Sequence, residues 1–304
     1  MTRGVSRGLA AALALATLTA ACEAAAPTAT PTQTPLQSSS IATTQVAVPS
    51  ATTTRPPPNP RHVATHKLRA IARRLPKHAI SVEVVNLHND ATYRWGARRG
   101  MWTGSVYKLF VLEAMLLERQ RTASWFSSYE LADITAMIEQ SDNAAGYRMY
   151  LDAGGSPGLA AAANRLGLRH TRIGVADPAL TTMDARDGIT LLRHLVAGGL
   201  LNAHSKSFVL RLMRSVQDDQ RWGVGVVADR GTTFANKNGW MEVTNNGPGE
   251  DDDGRWLVNS LGIVRVHGQR LLMAIFTRHD PDYDTGADLV QRLARIITPV
   301  VTPT

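Results

Sequence analysis

The sequence predicts an α/β chain of the α+β type: a five-stranded antiparallel sheet flanked by the terminal helices of the domain, plus a lobe made of helices alone. Three observations predict it. Stretches rich in β-branched residues occur at residues 79–95 and return at 234–278, the long interval between them has helical periodicity, and a single amphipathic helix lies outside the strands at each end. Strands from the two ends of a chain can share one sheet, which pushes the central helices into a second lobe and leaves a cleft between the two.

Taken in order, Lys67 to Arg74 has the spacing of a short amphipathic helix that ends before Pro76. Ala79 to Leu87 reads as a strand, Asn89-Asp90 as a turn and Ala91 to Trp95 as the returning strand. Helices are expected over Ser105–Arg121, about Ser128–Gln140, Asn143–Leu151, Pro157–Leu166, Met183–Ala197 and His204–Val216. Strands follow at Phe234–Thr244, Trp256–Val266 and Arg270–Arg278, and the last helix at about Thr285–Ile297.

The tails differ from this folded part. Arg3 and Arg7 precede an apolar run from Gly8 to Ala21 that is short for a membrane span, so residues 1–21 read as an export signal. Cys22, the one cysteine, follows Leu18-Thr19-Ala20-Ala21 and resembles a bacterial lipobox, with Thr19 where leucine is usual. The resemblance implies lipid attachment at Cys22 and a place on the outer face of the cytoplasmic membrane; simple cleavage and secretion is the alternative. Residues 22–60 are dominated by Ala, Thr, Pro, Ser and Gln and cannot bury enough apolar surface to offset their ordering entropy, so they read as a tether to a domain over 61–304.

The formal charge of +8 rests on scattered arginines rather than a cluster, which argues against a nucleic-acid partner and for an anionic wall or membrane as neighbour. Nine histidines without an HExxH pair, and a lone cysteine, supply no metal-ligand spacing; no metal or cofactor is expected, and the chain is expected to be a monomer.

Three short motifs carry chemistry. In Thr103-Gly104-Ser105-Val106-Tyr107-Lys108, a serine and a lysine one helical turn apart share a face, and a buried lysine can lose its proton and act as base to the hydroxyl. Alone, the same spacing also suits a capping serine before a surface lysine. Ser141-Asp142-Asn143 lies between two helices, where it can either cap a helix or supply a proton-shuttling hydroxyl and a substrate-binding amide. Lys237-Asn238-Gly239-Trp240 is either an Asn-Gly hairpin turn or a strand with a cation beside a glycine that admits close backbone approach. The chain has 33 Lys plus Arg, of which only five are lysines, yet two of those five fall in these motifs. Arginine cannot serve as a base; lysine can.

In this order the three resemble the Ser-x-x-Lys, Ser-Asp-Asn and Lys-Thr-Gly set of the serine β-lactamases and penicillin-binding proteins, closest to class A β-lactamase-like lipoproteins. The resemblance covers about residues 62–298. It implies that Ser105 is acylated by a β-lactam or a peptidoglycan-like acyl-D-Ala amide, with Lys108 as base and Ser141 passing a proton to the leaving nitrogen. It further implies that Asn143 orients the substrate amide, that Lys237 and the Asn238 side chain hold its carboxylate, and that the N–H groups of Ser105 and Trp240, beside Gly239, form an oxyanion hole.

The pattern departs in three places. Asn238 replaces threonine, the stretch between Ser105 and Ser141 is short, and no glutamate occurs between Glu139 and Glu242 to activate the deacylating water. Asp177-Pro178-Ala179-Leu180-Thr181 is similar to the Glu-Pro-x-Leu-Asn stretch of class A enzymes, with Asp177 as the implied base and Thr181 in place of the water-holding asparagine, although an aspartate before Pro178 equally suits an Asx turn. Three readings stay open: a hydrolase of β-lactams, a D-alanyl-peptide carboxypeptidase of the cell wall, and a lipoprotein that binds wall fragments or a partner without turnover.

Overall fold

The computed structural model describes residues 58–98, 100–244 and 254–302. The expected export signal, Cys22 and nearly all of the tether lie outside the described residues. Among those described, no helix is long and apolar enough to cross a membrane.

The first helix, α1 (Pro60–Ala72), starts earlier than the amphipathic spacing from Lys67 indicates. Asn59 caps it, its side chain accepting from the Arg61 N–H at 2.9 Å, and Pro60 occupies the first turn, where its missing N–H costs nothing. This start signal is easily mistaken for the end of a proline-rich tract. The hairpin follows as β1 (Ile80–Asn86) and β2 (Thr92–Gly96), with Asp90 in the left-handed conformation of its turn. A two-residue strand, β3 (Met101–Trp102), leads through a 3-10 turn at Gly104–Val106 into α2 (Tyr107–Arg121), whose residues Tyr107 to Leu117 are all buried. A helix apolar on every side belongs at the centre of a lobe.

Around it pack α3 (Ser128–Thr135), which runs into a π-turn at Ala136–Gln140, then α4 (Asn143–Asp152) and α5 (Gly155–Arg165). After a loop comes β4 (Thr182–Met183), antiparallel to β3, and then α6 (Ala185–Val196) and α7 (Ala203–Arg214). The expected helix start at Met183 is therefore moved to Ala185, because Asp184 accepts from the Asp187 N–H at 3.0 Å and caps it there. The chain ends in β5 (Ala235–Val243), β6 (Arg255–Val266), β7 (Gln269–Asp280) and α8 (Tyr283–Val301).

The five main strands form one antiparallel sheet, as the sequence predicts, and their order is β2-β1-β7-β6-β5. Both faces are covered. On one, α1 and α8 close a core around Leu68, Val82, Val84, Met273, Val290 and Leu293. On the other, α6 carries the helical lobe, whose core includes Phe110, Leu112, Met137, Leu191 and Phe276. Each fully buried Leu, Val or Phe contributes about 1.5–3 kcal/mol relative to exposure. The edge strand β5 is left facing the Ser105 turn.

Candidate active site

Ser105 sits half-buried in the 3-10 turn, and Lys108 follows one turn later, fully buried. The Lys108 Nζ donates to Ser105 Oγ at 3.0 Å, to Asn143 Oδ1 at 2.7 Å and to the Ser141 carbonyl at 2.5 Å. Burial lowers its pKa to about 8, partly opposed by the charges of Asp142 and Asp177. A neutral amine is thus accessible near neutrality, 3.0 Å from a hydroxyl it can deprotonate.

Ser141 ends the π-turn in the left-handed region, at φ 57°. The residue beyond it, Asp142, accepts from the Ala145 N–H at 2.7 Å and starts α4. This backbone reversal turns the Ser141 hydroxyl toward β5, where Lys237 Nζ donates to it at 2.7 Å. Lys237 is fully buried and its pKa is held well below the usual lysine value, first by burial and then by the charge of Lys108. The two lysines flank one hydroxyl from opposite sides. Asn143 is exposed, so its amide NH2 is left facing outward while Oδ1 is taken by Lys108.

Lys237, Asn238, Gly239 and Trp240 lie in the interior of β5, opposite Leu261, Ser260, Asn259 and Val258; the Asn-Gly pair makes no hairpin turn. At Gly239 a Cβ would lie 2.4 Å from the Thr103 carbonyl and 2.8 Å from the Ser105 nitrogen, so only glycine lets the strand pass the turn. This contact brings the backbone N–H groups of Ser105 and Trp240 to the same cleft. Asn238 departs from expectation. Its side chain is buried and donates to the carbonyls of Gln220 at 2.9 Å and Trp222 at 3.3 Å, so it braces the 220–222 segment and does not line the cleft.

The cleft itself has a volume of about 470 Å³ and is bordered by Ser105, Asn143, Tyr147, Asp177 and Trp240, among others. Asp177 is exposed on its rim, and its Oδ1 accepts from the Ala179 N–H at 2.8 Å, which caps a 3-10 turn. Among the described residues this carboxylate makes no hydrogen bond to Ser105 or Lys108. Thr181 is buried and its hydroxyl accepts from the Gly174 N–H at 3.1 Å, which closes the loop instead of reaching the cleft.

One further cluster has metal-ligand character. The ligand atoms of His170, Asp184 and Asp187 lie within 4.8 Å of one another. Their hydrogen bonds account for them: Asp184 caps α6 and bonds His170, and Asp187 accepts from the His170 N–H and the Thr171 hydroxyl.

Two supporting residues escape the sequence reading. A Cβ at Gly146 in α4 would lie 2.7 Å from Lys108 Cε, so this glycine makes the space in which the lysine is buried. A glycine inside a helical pattern is a signal, since it costs about 1 kcal/mol there. Asn259 of β6 donates to the carbonyls of Trp102 and Thr103 at 2.8 and 3.1 Å, pinning the Ser105 turn to the sheet. Nothing in its sequence neighbourhood marks it.

Comparison with known proteins agrees with this architecture. A family model described as the beta-lactamase enzyme family matches residues 122–301, which include Ser141, Asp177 and Lys237 and begin after α2. No curated protein matches in sequence. Among solved structures, PBP-A is similar with a TM-score of 0.66 at 19% identity, over 79% of this chain and 96% of that one. A variant of PBP-A solved as an acyl-enzyme complex with penicillin G is similar at the same TM-score of 0.66 and 19% identity, over 79% and 97%. A class A beta-lactamase representative from Bacteroides cellulosilyticus is similar with a TM-score of 0.67 at 16% identity, over 82% and 100%. With the fold and more than half of the sequence accounted for in this way, the chain belongs to the beta-lactamase enzyme family.

Proposed function

We propose that the protein is a serine hydrolase that β-lactams or acyl-D-Ala-type amides acylate at Ser105. The observation that carries this reading is the buried Lys108 amine at 3.0 Å from the Ser105 hydroxyl, with Lys237 and Ser141 paired on its far side. In the reaction, Ser105 Oγ attacks the carbonyl carbon as its proton passes to neutral Lys108. The oxyanion that forms is met by the N–H groups of Ser105 and Trp240. When the C–N bond breaks, Ser141 gives its proton to the leaving nitrogen and is resupplied from the adjoining ammonium group.

Release of the acyl group is slow in this reading. A water-activating carboxylate tolerates little misplacement, about 1 Å costing on the order of 100-fold, and Asp177 is held by one of its two oxygens to the cap of its own turn. A long-lived adduct favours a penicillin-binding, D-alanyl-peptide enzyme over an efficient β-lactamase. The solved penicillin G adduct of PBP-A supports acylation chemistry on this fold for that protein.

The test is to incubate the purified protein with a fluorescent penicillin and with nitrocefin, beside Ser105→Ala. Stable labelling that Ser105→Ala abolishes, with little nitrocefin colour and an effect of Asp177→Asn on adduct lifetime below about threefold, is the expected result. Rapid nitrocefin turnover makes the protein a β-lactamase. Absence of any Ser105-dependent adduct sinks both enzymatic readings and leaves a binding lipoprotein.

The same reading places the domain outside the cell on a lipid-modified Cys22. Labelling with a fatty-acid analogue that Cys22→Ser abolishes is the expected result; an unlabelled, freely secreted protein argues for simple cleavage.

A further inference from the structure

Between Pro58 and Val82 there is no acidic residue. Over the same interval Arg61, Lys67, Arg69, Arg73, Arg74 and Lys77 are all exposed. The helix that carries the first three of them buries Ala64, Leu68 and Ile71 against the sheet. His62, His66, Arg69 and Arg73 recur at intervals of four and three, so they form the opposite, outward stripe. Lys67 lies on the flank toward α8, in a groove bordered also by His66 and by Arg292 and Arg295. Beyond the end of α1, a second groove of about 610 Å³ is bordered by Arg69, Arg73, Lys77, His78 and Trp95.

Among the described residues, none of Lys67, Arg69, Arg73, Arg74 or Lys77 takes part in an ion pair. Asp280, which is buried, and Asp288 of α8 border a groove beside Arg74 and are the acids that line it. Arg61 alone is engaged, donating to the Thr92 carbonyl and lying over the Tyr93 ring.

We infer that the outward face of α1, with Arg292 and Arg295 of α8, docks on an anionic lipid bilayer. The cations run from Arg61 in the first turn of α1 through Lys67 and Arg69 to Arg73, Arg74 and Lys77 just past its end, and do not converge on a point, which suits a plane of headgroups rather than one small anion. The helix is the first element of the fold, so the face lies at the end from which the chain continues toward Arg55, Cys22 and the apolar run Gly8–Ala21. It also lies across the sheet from the helical lobe, so a docked domain keeps its cleft open. The inference is independent of what Ser105 does.

The experiment uses the protein from Glu23 to Thr304, which retains both apolar cores but not the apolar run or Cys22. Its co-sedimentation is measured with phosphatidylcholine vesicles and with vesicles carrying about 30% phosphatidylglycerol, at salt from about 50 to 300 mM. Binding is expected to the anionic vesicles alone and to fall steeply with salt. Combining Lys67→Gln, Arg69→Gln, Arg73→Gln and Arg74→Gln is expected to lower it by about a hundredfold or more, at about fivefold per cation. The comparison is Arg169→Gln, Arg172→Gln, Arg186→Gln and Arg193→Gln, four exposed arginines on the helical side, with unchanged thermal melting in both sets. Equal loss in the comparison set, equal binding to neutral vesicles, or no binding at low salt overturns the inference. So does stronger binding to a soluble poly(glycerol phosphate) than to anionic vesicles, which makes the partner a wall polymer.

Discussion

At the scale of single residues, the chemistry depends on a lysine that is expensive to bury and is buried nonetheless. Lys108 has four acceptors around its Nζ, which stabilise the ammonium form, while desolvation outweighs them and brings its pKa to about 8. The base is the deprotonated form. The acylation rate should therefore rise about tenfold per pH unit below about 8 and level off above it, because each unit raises the neutral fraction tenfold until it saturates. Pseudo-first-order labelling rates with a fluorescent penicillin across pH 6–10 measure this profile. Lys108→Arg should abolish acylation at every pH, since guanidinium keeps its charge. A flat profile for the native protein would remove Lys108 from the role of base.

At the scale of elements, the legibility of the molecule is uneven for physical reasons. The five main strands and the larger helices could be read because their apolar residues recur with the period of the element that buries them. β3 and β4 could not, since two residues display no period, and yet the Thr103 N–H to Thr181 carbonyl bond beside them, at 2.8 Å, joins the Ser105 turn to the Asp177 loop. The motif residues Ser105, Lys108, Ser141, Asn143 and Lys237 are joined by hydrogen bonds around the two lysine amines. Asn238 is not, because alternate residues of a strand face opposite ways, and hydrogen bonds to residues 220 and 222 settle which way it faces. Asn259 was illegible because its partners are distant in sequence. It is fully buried, holds the Trp102 and Thr103 carbonyls and accepts from the Thr277 N–H at 3.1 Å. Asn259→Ala should cost about 2–4 kcal/mol by stranding these groups. Urea unfolding should show a lower midpoint at unchanged slope, with acylation slowed further than the stability loss accounts for. A variant as stable and as reactive as the native protein would mean that the turn is held by Gly239 packing alone.

At the scale of the whole molecule, the buried ionisable groups set how stability varies with pH. Burial raises Glu113 to about 7 in the helical lobe, where it pairs with His194 at 2.8 Å, and raises Asp280 to about 6 at the end of β7. Burial lowers Lys108 to about 8 and holds Lys237 well below the usual lysine value. For a carboxyl whose pKa is raised in the fold, the native state holds a proton that the unfolded chain has already released. Its contribution is complete below the unfolded value, about 4.5 for Glu113 and about 3.8 for Asp280, and is lost as pH rises through the folded value. The lysines act in the other direction. Between about 8 and 10.5 Lys108 is protonated in the unfolded chain and neutral in the native state, and Lys237 is lowered in the same direction, so stability recovers as pH rises through that window. The domain should accordingly be more stable near pH 5 than near pH 7.5, by about 2 kcal/mol from Glu113 and about 1 kcal/mol from Asp280, and should regain stability toward pH 10. Glu113→Gln and Asp280→Asn should each flatten the acid limb and leave the alkaline limb intact. Denaturant unfolding at pH 5, 6, 7.5 and 9.5 reads both limbs. A native protein whose stability peaks near pH 7.5, or an acid limb that neither substitution changes, would show that these two carboxyls do not govern it.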